Sequence, residues 1–167
     1  VITFEDNVTS IGKYAFALTT IESIVLPNTT QSIANNVFYK CENLHTIYIP
    51  EKVTEIPKNA FAYSALKNIK LAPTTTHIDE HAFWYSSIAS ILLPGTVENI
   101  GAYAFTYSGL KELYIQCTTP PDLGSMAFSG TDDSLVIYVP IGYEDVYKNH
   151  SRWTQYKDKI KGFNFNN

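Results

Sequence analysis

The sequence predicts an α/β repeat solenoid, with a parallel strand ladder, short helical turns and a C-terminal capping helix. Three observations predict it. A phenylalanine recurs at Phe16, Phe38, Phe61, Phe83, Phe105 and Phe128, at spacings of 22, 23, 22, 22 and 23 residues. Around each stands one skeleton, clearest in IPKNAFAYSALKNIKLAP (Ile56 to Pro73): an inward Ile, Ala and Phe four and five residues later, then a Leu/Ile-x-x-Ile-x-Leu run closed by Pro. After Pro140 that skeleton gives way to Tyr143, Val146, Tyr147, Trp153, Tyr156 and Ile160, intervals that fit an amphipathic helix.

Each element follows from the spacing. Ile47 and Ile49 and their equivalents alternate with polar or variable neighbours, the period of a strand with one face buried, and the Ile to Ala-Phe interval fits about one helical turn. Pro ends the strand because it has no N–H to give the ladder. A unit of one short strand and one turn cannot bury its own apolar side, so it stacks on a copy of itself, strand on parallel strand.

In order, Ile2, Thr3 and Phe4 read as the inward, outward, inward end of a truncated first coil, and about six coils fill residues 1–140. Ala72 reads as an insertion before Pro73, and Gln116 stands where the fifth coil expects its Pro. The coil from Cys117 is degenerate, with Pro120-Pro121 and an acidic loop at Asp132-Asp133. Residues 141–167 read as a cap within the same domain, since a solenoid end needs a lid with a polar outer face. Cys41 fills a small inward slot held elsewhere by Thr19, Ser64, Ser86 and Ser108. Cys117 lies about three coils on, on the order of 15 Å away at the inter-strand spacing, too far for a disulfide. Both cysteines are expected as free thiols.

Composition narrows the partners. At 45% hydrophobic and 17% charged the chain is a folded one, and a net charge of −4 with 12 Lys and Arg argues against nucleic acid and anionic membranes. No apolar run is long enough to span a bilayer, and VITFEDN is no signal peptide, so the start is expected to lie inside a longer mature protein.

Chemistry-bearing motifs are few. His77, Glu80 and His81 spell H-x-x-E-H, a zinc-binding order that needs a sustained helix and a third ligand. In the repeat frame both histidines occupy variable outer positions, so a solvated polar corner is expected instead of a metal site. No Ser-His-Asp order, G-x-S-x-G or phosphate loop stands out. The chain is read as no enzyme, without cofactor or metal.

The outward strand positions are the better candidates. Val25, Tyr48, Lys70, Leu92, Tyr114 and Tyr138 lie between the last two inward residues of successive coils, and stacking aligns them into a stripe. Beside it run Ser23, Thr46, Asn68, Ser90, Glu112 and Val136. An exposed apolar and aromatic band marks a binding surface, although strand propensity alone also favours such residues. A second column, Tyr63, Tyr85 and Tyr107 beside Trp84, is expected as structural ring stacking, with a carbohydrate platform as the alternative. Asn7, Asn28 and Asn149 head N-x-S/T sequons, meaningful only in a eukaryotic secretory pathway.

The recurring I-x-x-x-A-F-x-x-C/S-x-L-x-x-I-x-L-P unit resembles the BspA-like, Treponema-type leucine-rich repeats over about residues 1–140. Departures are small: Thr19 and three serines replace the frequent Cys, and Val37 replaces Ala once. The resemblance implies a right-handed leucine-rich-repeat superhelix on a bacterial cell-surface or secreted protein, a role in adhesion and no catalytic residues. The expected partner is a protein, such as a host matrix or surface protein. It would bind the concave strand face of a monomer at Val25, Tyr48, Lys70, Leu92, Tyr114 and Tyr138 with Thr46, Asn68, Ser90 and Glu112. A structural spacer that displays another domain is the alternative reading.

Overall fold

The computed structural model describes residues 2, 4, 5 and 7–166; Thr3, read as outward, lies outside them. In chain order the first strands are β1 (Ser10–Ile11), β2 (Ser32–Ile33), β3 (Thr46–Tyr48), β4 (Glu55–Ile56), β5 (Asn68–Lys70) and β6 (His77–Ile78). They are followed by β7 (Ser90–Leu93), β8 (Asn99–Ile100), β9 (Glu112–Ile115), β10 (Asp122–Leu123), β11 (Val136–Pro140) and β12 (Ile160–Phe163). Every pairing is parallel, and the strands form two ladders. The shorter strands run β1–β2 and β4–β6–β8–β10; the longer run β3–β5 and β7–β9–β11–β12. Bridges at Ile2–Ile24 and Ser23–Thr46 carry the longer ladder back to the chain start. The result is a parallel strand solenoid of about seven turns with little helix.

The Ile to Ala-Phe interval is not a helical turn. Ala15, Ala17 and Thr19 donate their N–H groups three residues back, to Gly12, Tyr14 and Phe16, while Tyr14, Phe16 and Leu18 donate to Asn35, Val37 and Tyr39 of the next coil. The alternation recurs downstream, as at Asn59, Phe61 and Tyr63 bonding Glu80, Ala82 and Trp84. A helix would keep all these donors to itself; here every second one joins neighbouring coils. Reaching outward needs a left-handed residue at each end of the segment, and φ is 59° at Tyr14, 60° at Leu18, 55° at Asn59, 57° at Tyr63, 59° at His81 and 52° at Tyr85. That conformation costs an L-residue roughly 1–2 kcal/mol, offset by the inter-coil bond its N–H makes. Only the last coil places glycine there, Gly130 at φ 66°.

The inward columns form one continuous core. Ile33, Ile56, Ile78, Ile100 and Leu123 are buried along the shorter ladder, as are Ile47, Ile91, Leu113 and Ile137 along the longer. The phenylalanines stack between them, with ring centroids 5.4, 5.4, 5.5, 5.0 and 5.6 Å apart from Phe16 to Phe128. Phe4 closes the first end of the stack edge-on at 6.1 Å. In the small inward slot the Thr19, Ser64 and Thr131 hydroxyls donate to the carbonyls of Phe16, Phe61 and Phe128 of their own coils. The Cys41 thiol donates to the Phe16 carbonyl of the coil before, while the buried Ser86 and Ser108 hydroxyls have no partner among the described residues. Cys41 and Cys117 are free and buried, and burial raises both thiols above their ordinary value.

Ala72 is not inserted; it occupies the proline slot. Thr75 N–H donates to Ala72 at 3.0 Å as Thr30, Val53 and Val97 donate to Pro27, Pro50 and Pro94. This alignment puts Thr30 and Thr75 in the slot of Val53 and Val97, fully buried, with hydroxyls that have no partner. An unpaired buried hydroxyl costs about 1–3 kcal/mol. Thr75→Val, which copies the chain's own solution, is expected to raise the unfolding free energy by about 1 kcal/mol, read from the urea midpoint; a lower midpoint would show that the hydroxyl is bonded.

The C-terminal segment also departs from expectation. In place of one capping helix it forms α1 (Glu144–Lys148), a 3-10 turn (Thr154–Lys159) and β12, which pairs with β11 as a further rung. The apolar spacing is satisfied in three pieces because the chain must turn back to lie along β11. Tyr147 and Trp153, both fully buried, plug the end of the core. The Tyr147 hydroxyl donates to the Cys117 carbonyl and the Trp153 indole N–H to the Pro121 carbonyl, each at 2.8 Å. Phe128 meets Tyr156 at 5.3 Å and Trp153 at 6.1 Å. The Glu144 carboxylate lies where a side chain at Gly162 would project, so a larger residue there would have to displace it.

Candidate functional site

Strand register decides which outward residues meet. In the longer ladder Tyr48 pairs with Lys70, Leu92 with Tyr114, Tyr114 with Tyr138 and Tyr138 with Lys161. Alongside, Ser23 pairs with Thr46, Thr46 with Asn68, and Ser90 with Glu112, itself opposite Val136. The stripe exists, but it is divided: β5 and β7 are neighbours that do not pair, and Ile69 at that seam is only partly buried while its column mates Ile47 and Ile91 are covered.

On the early side of the seam, Val25 (74% exposed), Tyr48 (65%) and Lys70 line an open groove of about 830 Å³. Leu26, Ile49, Leu71 and Ala72 form its floor, Pro50 and Pro73 its wall, and Asn28, Glu51 and Lys52 its polar rim.

Beyond the seam the stripe becomes aromatic. Leu92 is 48% exposed. Tyr114 and Tyr138 stack at 4.6 Å, and Phe163 meets them edge-on at 5.1 and 5.6 Å, with Phe165 4.9 Å further. Burial first, then the Glu112 carboxylate and Tyr138, holds the Tyr114 phenol above its ordinary 10.0, so it stays neutral at physiological pH. Lys161, Phe163 and Phe165 were not legible as site residues because they lie outside the repeat; the alternation in IKGFNF was their only signal.

The other aromatic column lies on the turn side. Tyr63 and Tyr85 stack at 5.1 Å and Tyr85 and Tyr107 at 4.8 Å. Tyr39 and Trp84 meet Tyr63 edge-on. The Lys40 ammonium covers the Tyr63 ring at 5.5 Å, and Tyr107 lies where a Gly130 side chain would project. Ring faces are thereby turned on one another or covered, leaving edges to solvent. Sugar stacking needs free faces, so this geometry favours structural packing.

Of the H-x-x-E-H residues, His81 and Glu80 touch, His81 Nδ1 lying 3.2 Å from Glu80 Oε1, while each also has a partner outside the motif. His77 Nδ1 is 2.9 Å from the Thr76 hydroxyl, and His81 stacks on Tyr103 at 5.1 Å. Glu80 pairs with Lys58 at 2.6 Å, and that bond holds its carboxyl below the usual range. Among the described residues no group of three His, Cys, Asp or Glu side chains could hold a metal, and no helix is long and apolar enough to cross a membrane.

Comparison with known proteins places this architecture. The chain is similar to the crystal structure of the pneumococcal vaccine antigen PcpA, with a TM-score of 0.68 and 21% identity over 96% of this chain and 44% of that one. It is similar to a leucine-rich repeat protein from Bacteroides ovatus, at TM-score 0.65 and 25% identity, over 96% of this chain and 47% of that one. A leucine-rich repeat protein from Eubacterium ventriosum matches at TM-score 0.55 and 19% identity, over 70% of this chain and 34% of that one. The chain thus spans less than half the length of these solved relatives. No curated protein sequence matches it. The BspA type leucine rich repeat region matches in six copies over residues 9–135, three-quarters of the sequence, and with the two ladders and the phenylalanine stack this makes the chain a member of the BspA-type leucine-rich repeat family.

Proposed function

We propose that the chain is a non-enzymatic interaction and adhesion module of a bacterial cell-surface or secreted protein, taking a protein ligand on its concave strand face. The observation that carries this reading is the contrast between the two sides of the longer ladder. Inward residues are constant and buried, whereas Val25, Tyr48, Leu92, Tyr114 and Tyr138 present exposed or half-buried apolar and aromatic surface in register. A few residues carry most of the energy of a protein interface, and tyrosine is among the types enriched there. Thr46, Asn68, Ser90 and Glu112 form the polar rim beside them, and Lys70 adds a charge. The family resemblance supports a surface or secreted setting, in which the ligand is a host matrix or surface protein. The turn-side tyrosines do not support a carbohydrate platform, because their faces are covered.

The test is a binding screen against matrix proteins and glycans, repeated with Tyr48, Tyr114 and Tyr138 all changed to Ser. Loss of a protein ligand with a nearly unchanged melting curve is expected. Full retention of binding would sink the reading.

A further inference from the structure

We propose that the groove of the early coils takes an extended acidic and apolar peptide segment, its carboxylates on Lys52 and Lys70 and its apolar side chains on Val25 and Tyr48. This rests on the strand face being an interaction surface and adds the chemistry of what one half of it receives.

The argument begins with charge. Lys58, Lys111 and Arg152 have carboxylate neighbours at 2.6, 3.6 and 3.9 Å. Among the described residues the other lysines, Lys52 and Lys70 included, form no such pair, but these two are the ones that line the groove, where Glu51 is the one acidic group. Two lysines against one glutamate make the groove locally positive in a chain of net charge −4. An anionic partner is therefore drawn to this groove, and charge complementarity of this kind gives an interface its register and specificity.

Hydrogen bonding points the same way. The Thr29 hydroxyl is already engaged with the Val8 carbonyl, and the Glu51 and Pro73 carbonyls accept from Thr74 and Thr96. Among the described residues, the Lys52 and Lys70 ammonium groups, the Asn28 amide and the Tyr48 hydroxyl are donors without a side-chain bond, against the Glu51 carboxylate, and suit a ligand that brings acceptors.

Shape then selects a chain over a small acid. Val25, Tyr48 and Lys70 stand on three successive rungs, so the groove crosses about 10 Å at ~4.8 Å per rung, a distance that about three residues of extended chain span. The order apolar, apolar, cationic across those rungs asks for a carboxylate two or three residues from an apolar side chain. The exposed apolar side chains of Val25 and Tyr48 would find no partner on a purely acidic tract, so the ligand needs apolar side chains of its own.

The experiment measures fluorescence anisotropy of short labelled peptides with the whole chain: a Leu-Gly-Glu-Gly repeat (Leu/Glu), which puts both side chains on one face of an extended strand, a Leu-Gly-Lys-Gly repeat (Leu/Lys), and alternating Gly and Glu. The Leu/Glu peptide is expected to bind at least about tenfold more tightly than either control, and more weakly as salt rises. Changing both Lys52→Glu and Lys70→Glu, at exposed positions, should transfer the preference to the Leu/Lys peptide. Tyr48→Ser should weaken the Leu/Glu peptide without changing the charge preference. Equal binding of Leu/Lys and Leu/Glu, a preference unmoved by the double lysine change, or no peptide binding at all would overturn the proposal. A protein ligand lost on the triple tyrosine change but indifferent to the lysine change would overturn it while leaving the strand-face reading intact.

Discussion

Phe61→Ala is expected to lower the unfolding free energy by about 3–5 kcal/mol, a large share of the roughly 5–15 kcal/mol that domains possess. Phe61 is fully buried and lies between Phe38 at 5.4 Å and Phe83 at 5.5 Å, nearly parallel to both. Its removal strips contact from both neighbours, and the coils cannot close over the gap because their spacing is fixed by inter-coil hydrogen bonds such as Phe61 to Ala82 at 2.8 Å. The same change at Phe16, which is only partly buried, should cost distinctly less. Urea titration of both variants checks this; equal losses, or a loss below about 1 kcal/mol at Phe61, would show that the stack is not the central column of the core.

Trp153→Ala should be comparably severe through a different mechanism. The indole is fully buried against Phe128 and Tyr147, and its N–H satisfies the Pro121 carbonyl. Truncation removes the packing, about 3–5 kcal/mol, and leaves that carbonyl unpaired at a further ~1–3 kcal/mol. The loss should be local first. Cys117 lies in the coil that the cap secures, with its carbonyl bonded to Tyr147, so its thiol should react with an aromatic disulfide reagent well before Cys41, which is fully buried between β2 and β3, far from the cap. Tyr147→Phe keeps the ring and loses only the hydroxyl bond, so a smaller cost of about 1–2 kcal/mol separates hydrogen bonding from packing. Simultaneous exposure of both cysteines in the Trp153 variant would mean that the cap and the coils unfold as one unit.

Much of this architecture was legible in the sequence because it depends on what repeats. The phenylalanine period gave the coil length, and the alternation around Ile47 and Ile49 gave the longer strands, their register and the outward stripe. What escaped depends on features that period cannot carry. Tyr14, Leu18 and Tyr85 are residues that seldom adopt left-handed backbone, so only Asn36, Asn59, His81 and Gly130 at equivalent positions hinted at it, too few to signal that the turn segment sends every second N–H to the next coil. An interval of four and five residues fits two successive turns as well as one of helix. Ala72 looked inserted because Pro73 was taken as the fixed mark, whereas the bond from Thr75 marks the slot. The last rung hid in a four-residue strand behind helix-like spacing, and with it Lys161 and Phe163, which extend the stripe. The seam between β5 and β7 has no mark in the sequence that we can identify.

The candidate site was legible as a set of aligned positions and not as two different surfaces. Register brought Tyr48 to Lys70 and Tyr114 to Tyr138 as the repeat required. The unpaired seam and the added Phe163 then separated a cationic groove from an aromatic cluster.

Hydroxyl-radical footprinting of the chain with its bound protein ligand is the most direct measurement of the central claim, that recognition is written on the outward strand positions and not on the turn side. Tyr48, Leu92, Tyr114 and Tyr138 should be protected while Tyr85 and Tyr107, which are 44% and 52% exposed, keep their reactivity. Protection of Tyr85 and Tyr107 with the strand tyrosines unchanged would contradict the account.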